Sequence, residues 1–132
     1  MMNDRNEIKI SFKEPKFHID KANKVVVCIL EGTPRYPKVI DYTFTTITNL
    51  RYENVDEIKV KAIAKLSPDD NFDENIGMKV ALAKAENKAY TQVCINLKEY
   101  IKSLNKITEQ AKDFFYKSAN VIEHNYNYLE QF

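Results

Sequence analysis

Residues 90–132 read YTQVCINLKEYIKSLNKITEQAKDFFYKSANVIEHNYNYLEQF, without a glycine or a proline. Val93, Leu97, Tyr100, Leu104, Ile107, Ala111, Phe114, Ser118, Val121, Asn125, Tyr128 and Phe132 follow one another at alternating steps of four and three. That is a 3.5-residue period, and Cys94, Ile101, Phe115, Ile122 and Leu129 widen the stripe. Such a pattern specifies an amphipathic helix with more apolar surface than a small sheet covers, so the segment speaks of assembly before chemistry. A helix of about 40 residues extends roughly 60 Å at 1.5 Å per residue, which exceeds a domain of this size. It must fold back as a hairpin or pair with another chain. Ser118 and Asn125 on the stripe are polar interruptions of the kind that fix register in helix pairing.

The preceding segment opens a helix of its own. Ser67 has the chemistry of an N-cap, Pro68 suits the first helical position, and Asp69 and Asp70 complete a first turn. Phe72, Ile76, Val80 and Ala83 line one face, and Met78, Leu82, Ala85 and Ala89 an adjacent one. Gly77 among Ala81, Ala83 and Ala85 would let this helix approach a sheet closely, which offsets the roughly 1 kcal/mol that glycine costs inside a helix. A bend at 87–91 separates it from the long helix.

Before Leu66 the period is mostly two. Ile8, Ile10 and Phe12 alternate with polar residues, Phe17 and Ile19 do so briefly, and Val25 to Leu30 is a β-branched run. A loop around Pro34 and Pro37 follows, then Tyr42, Phe44 and Thr46. Finally Ile58, Val60, Ala62, Ala64 and Leu66 alternate with Lys59, Lys61, Ile63 and Lys65. The turn Asp20-Lys21-Ala22-Asn23 joins two strands, since Asp and Asn bond to local backbone and Asn tolerates positive φ. The expected fold is α+β, a single domain over 1–132: an antiparallel sheet of four or five strands in 1–66, then two helices in 67–132, the last long and used in oligomerisation.

Composition narrows the function classes. With 20 basic and 19 acidic side chains the formal charge is +1, against the concentrated basic surface that coats nucleic acid. The positive excess lies in 1–66. Cys28 and Cys94 sit on apolar patterns as small hydrophobes and form no disulfide framework. With no signal peptide and no long apolar run, the expected compartment is a reducing cytoplasm, away from membranes.

Motif grammar for catalysis is missing. Asp69, Asp70, Asp73 and Glu74 lack the spacing of a calcium loop and read as helix-start carboxylates. His18 and His124 have no companions at metal-ligand spacing. Neither Gly32 nor Gly77 belongs to a phosphate-cradling loop, and no nucleophile triad is recognisable. The sequence therefore points to no enzyme, no cofactor and no metal. Lys59, Lys61 and Lys65 share one face of the last strand, either a strip toward phosphate or simply a solvated face.

Two arginines stand out against the lysine-rich background. Arg35 is followed by Tyr36 in Pro34-Arg35-Tyr36-Pro37, and Arg51 by Tyr52. A guanidinium offers bidentate contact to phosphate and a neighbouring ring offers a face for a base. Arg35, Tyr36, Arg51 and Tyr52 are the candidate ligand-binding residues for a small anionic nucleotide, beside the reading in which they are ordinary loop residues.

The stretch 61–85, KAIAKLSPDDNFDENIGMKVALAKA, resembles a strand-to-helix segment of small phage and prophage proteins with its Ser-Pro-Asp-Asp-x-Phe-Asp-Glu core. With a sheet ahead of two helices, the whole chain is similar in architecture to the phage anti-Thoeris sponge proteins. That resemblance implies an oligomer, a dimer or larger, that binds a cyclic nucleotide or cyclic ADP-ribose-type immune signal without cleaving it. The rival expectation is a phage interaction protein whose C-terminal stripe binds and blocks a host enzyme.

Overall fold

The computed structural model describes residues 9–51, 55–67, 69 and 71–132. Its fold is α+β. Four antiparallel strands, β1 (Lys9–Phe12), β2 (Lys16–Asp20), β3 (Val25–Arg35) and β4 (Ile58–Lys65), are joined by a short helix α1 (Lys38–Ile47), and one long helix α2 (Glu74–Leu129) packs on the sheet.

β3 is the spine. β4 pairs with its residues from Val25 to Gly32, while β2 pairs with Val25–Ile29 and β1 with Gly32–Arg35. Gly32 has Phe12 on one side and Ile58 on the other, so β1 and β2 lie along the same edge of β3. They are two halves of one bulged strand. Phe12 lies across from Gly32 and Lys16 across from Ile29, four steps against three, so the Lys13–Pro15 connection holds one extra residue. The insertion has a clear effect on phase: core-facing residues switch from even (Ile10, Phe12) to odd (Phe17) positions and still meet the same face of the sheet.

The turn between β2 and β3 forms as the sequence specifies. The Asn23 backbone N–H donates to Asp20 Oδ1 at 3.1 Å and its side-chain amide to Oδ2 at 2.8 Å. Those bonds hold the Asp20 carboxyl below its ordinary pKa. The residue with positive φ is Lys24, at 54°, rather than Asn23. Pro34, expected in a loop, lies inside β3, beyond the point where β4 ends, so its missing N–H breaks no ladder there.

The alternation Tyr42, Phe44, Thr46, expected as a strand, belongs to α1. Pro37 starts this helix with φ −52°, and Ile40, Phe44 and Ile47 recur at helical spacing on its inner face. Phe44 is fully buried and Tyr42 is 87% exposed, which period two could not produce. Tertiary packing outweighs the strand preference of the β-branched residues here. Thr48 closes the helix, its Oγ1–H donating to the Phe44 carbonyl at 2.7 Å.

α2 differs from expectation at both ends of its first half. Its N-cap is Asp73, whose Oδ1 accepts from Asn75 N at 3.0 Å and Ile76 N at 3.2 Å. Ser67 accepts only a long 3.4 Å bond from Asp69 N; Pro68 and Asp70 lie outside the described residues, as does Ile8. The two expected helices are one, 56 residues long and so about 84 Å. Nothing at 87–91 can stop it: Thr91 Oγ1–H bonds back to Asn87 O at 2.7 Å, and Ala89 continues the buried row Gly77, Ala81, Ala85, Ala89, Val93, Asn96, Tyr100.

That row splits the core. Ala81 and Ala85 lie against Val26, Cys28, Leu30, Ala62 and Ala64. Ala89, Val93 and Tyr100 join Ile10, Tyr36, Phe44, Val55 and Ile58. A Cβ on Gly77 would stand 2.6 Å from Val26 Cγ2, so the glycine sets how closely helix and sheet approach. No described helix is apolar enough over its length to cross a membrane.

Candidate interaction surfaces

The four residues singled out as ligand contacts have different placements. Arg35 ends β3 on the outer face, exposed and across from Lys9. Arg51 is exposed after α1, and Tyr52 lies outside the described residues. Tyr36 is core: it is 8% exposed, with its ring centroid 5.0 Å from Phe44, which in turn lies 5.1 Å from Tyr100. Its hydroxyl approaches Asn96 without a hydrogen bond of good geometry. Burial pushes the phenol pKa up; Asn96 opposes this, and Asp56 and Asp41 add to it. In this arrangement the ring offers no open face to a base.

The outer face of the sheet carries a charge pattern that single strands do not reveal. Across the three aligned tracks the rows read Lys16–Ile29–Lys61, His18–Val27–Ile63 and Asp20–Val25–Lys65. Glu31 sits between Lys13 and Lys59, at 3.6 and 3.4 Å. Beyond it Lys9 and Arg35 face each other. Asp20 and Glu31 stand on this face, Glu14 and Glu57 border the hollows beside Glu31, and Glu31 is held below its usual pKa first by its hydrogen bond and charge contact with Lys59, with Lys13 and Lys16 contributing. Basic side chains still outnumber carboxylates on this face, around an aliphatic centre of Val25, Val27, Ile29 and Ile63. Reading Lys59, Lys61 and Lys65 alone misses half of it; the signal for the rest is that Lys9 and Lys16 stand on the polar phase of their strands, on either side of the bulge.

Two lysines of α2 reach the free edge of β4. Lys88 Nζ donates to Lys61 O at 2.7 Å and Lys84 Nζ to Ile63 O at 3.3 Å. Ammonium groups over edge carbonyls discourage addition of a further strand.

The third surface is the C-terminal arm, residues 101–132. Tyr100 is the last buried residue of α2, held by α1 through a 2.8 Å hydroxyl contact with Thr43. Beyond it the stripe has no cover: Ile101, Leu104, Ile107, Phe114, Phe115, Val121, Ile122, Tyr128, Leu129 and Phe132 are all exposed, from 43% for Leu104 and Ile107 to 88% for Phe132. Away from the stripe the arm exposes Tyr116 and Tyr126 among charged side chains, with Lys112 bound to Glu109 at 3.6 Å, while Lys117, which flanks the stripe, is bound to Asp113 at 2.9 Å.

No group of three or more potential metal ligands occurs among the described residues. Cys28 is buried, its thiol pKa raised by burial and then by Glu86, whereas Cys94 is exposed and unbonded to Cys28. No protein-family model, curated protein or solved structure matches this chain.

Proposed function

We propose that this is a non-catalytic, self-assembling binding protein: the arm joins copies, and the basic outer face of the sheet takes an anionic, nucleotide-type ligand. The observation that carries the reading is the arm. A chain that extends a helix of roughly 45 Å past its own body, with every large apolar residue of the stripe exposed, places its binding capacity there. The ligand half rests on the cationic rows Lys16–Lys61 and Lys9–Arg35, with Arg51 as a further exposed guanidinium. Phosphates would pair with these groups, and Val27, Ile29 and Ile63 would give a base an apolar floor. Sequestration of an immune signal of the cyclic ADP-ribose type fits this chemistry, with no covalent step required.

The second reading, a protein that blocks a host enzyme through its arm, draws on the same exposed stripe and differs in the occupant.

The test has two parts. Light scattering should show the full chain as a multimer and a chain ending at Ser103 as a monomer with its sheet and α1 intact. Native mass spectrometry with cyclic nucleotides and ADP-ribose derivatives should show a discrete adduct released unchanged on denaturation, weakened at least several-fold by Lys61→Glu or Arg51→Ala. A monomeric full chain removes the assembly half. A multimer with no adduct removes the ligand half and favours the enzyme-blocking reading.

A further inference from the structure

We infer that two copies pair their arms antiparallel, about a dyad near Tyr116, with each tip against the other copy's Tyr100 and α1. This rests on the assembly reading above and adds orientation and register to it.

The first ground is size complementarity along the stripe. Residues after a three-residue step are bulky: Ile107, Phe114, Val121, Tyr128. Those after a four-residue step are mostly small or polar: Ala111, Ser118, Asn125. Parallel pairing sets each residue level with its own copy, stacking three thin layers between layers of paired Ile107, Phe114, Val121 and Tyr128. Antiparallel pairing sets Ala111 level with the partner's Val121, Ser118 with the partner's Phe114, and Asn125 with the partner's Ile107. Every such layer then holds one large and one small residue, the arrangement that fills space evenly.

The second ground is the apolar surface at the two ends of the pairing. The same register puts Leu104 level with the partner's Tyr128, and Phe132 level with the partner's Tyr100. Tyr100 is where α1 begins to cover the stripe, so the exposed Tyr128, Leu129 and Phe132 would meet the partner where its own cover begins. The landing point is also apolar: Val39 and Tyr42 of α1 are 75% and 87% exposed and border a hollow of about 490 Å³ with Thr43. Size matching selects the antiparallel orientation, which registers seven residues apart share, and the apolar landing on α1 selects this register among them.

The area is sufficient. Large apolar side chains expose on the order of 150–250 Å² when open, so one arm presents roughly 1,000 Å² of apolar surface. A standard specific interface buries about 800 Å² per partner. Along one flank Phe115 meets the partner's Phe115 and Ile101 the partner's Leu129. Lys117 meets its own copy near the dyad, with its charge already engaged by Asp113.

Thiol cross-linking reads the register directly. In a Cys94→Ser background, which removes the exposed native thiol, Ala111→Cys protein and Val121→Cys protein are oxidised separately and after mixing. The mixture should give a disulfide dimer and each protein alone should not, because like positions in the antiparallel pair stand about 15 Å apart along the axis. Ser118→Cys mixed with Phe114→Cys, one layer nearer the dyad, provides a second pair if either substitution loosens the arm. Dimers of Ala111→Cys alone would show parallel pairing and overturn the inference while leaving assembly standing. A light-scattering dimer that cross-links in no mixture overturns the register, and a monomer overturns both readings.

Discussion

At Tyr36 the ring and the hydroxyl have opposite standing in the fold. The ring joins Phe44 and Tyr100 in the core, whereas the hydroxyl is enclosed without a well-formed bond. Tyr36→Phe should therefore leave stability within about 1 kcal/mol of the parent at neutral pH, because the enclosed hydroxyl contributes little while unpaired. Tyr36→Ala should cost roughly 3–5 kcal/mol through the cavity it opens. The sign of the alkaline response follows from the raised phenol pKa in the folded state. The neutral phenol's contribution is complete below the ordinary tyrosine value of about 10 and is lost as pH rises through the higher folded value. Denaturant melts at rising pH should show that loss in the parent and a flatter limb in Tyr36→Phe. This residue, expected in a loop as a ligand contact, is core instead, although the strand phase carried a trace of that. Val26, Cys28, Leu30, Gly32, Pro34 and Tyr36 are consecutive even positions and all buried, so strand phase alone separates Arg35, outside, from Tyr36, inside. The two prolines suggest a loop and hide that continuity.

Among the elements, the packing of α2 on β3 turns on the contact between Gly77 and Val26. Alanine at 77 gains up to about 1 kcal/mol in helix propensity, but its Cβ would lie 2.6 Å from Val26 Cγ2, and overpacking costs about 1–3 kcal/mol. Gly77→Ala should thus be net destabilising by about 1 kcal/mol in urea unfolding. In a Val26→Ala background the same change should cost less or become favourable, since contacting residues do not add independently; a stabilised Gly77→Ala single variant would mean that helix and sheet do not meet there. β4 was readable because period and burial agree; of the small residues Gly77, Ala81 and Ala85 are buried as expected, whereas Ala83 and the expected face residues Ile76 and Val80 are exposed. α1 was not, because its residues satisfy two periods and only the tertiary contact with Val93 and Tyr100 chooses between them. The bulge after Phe12 leaves a sequence trace, the change from even to odd apolar positions, which is meaningful only once both halves are known to share one partner strand.

For the whole molecule, the sequence conveys an α+β body and an uncovered stripe, yet leaves open how the stripe is carried. Residues 87–91 contain neither a breaker nor a strong cap, and a hairpin and a continuous helix differ there by no local signal. The structure resolves this through the buried row, which runs from Gly77 to Tyr100 without losing phase. The functional surfaces were less legible still, because the cationic face is assembled from β1, β2, β3 and β4 and is visible only after their registers are known. Removal of the arm should leave the body's unfolding midpoint nearly unchanged, since no arm residue belongs to either core cluster. Calorimetry of the chain ending at Ser103 checks this, and a large fall in midpoint would show that the arm supports the body.

The uninterrupted continuation of α2 past Tyr100 has a further consequence. Inside the body its peptide hydrogens are locked by the sheet, but in a solitary chain those of the arm are retained only by the helix's own marginal cooperativity. Proton exchange and proteolytic nicking would therefore begin at the tip and stop near Tyr100 in dilute protein, and recede as copies become numerous. The segment that joins the copies would also register their abundance, and the lifetime of the chain would follow from how often it finds itself.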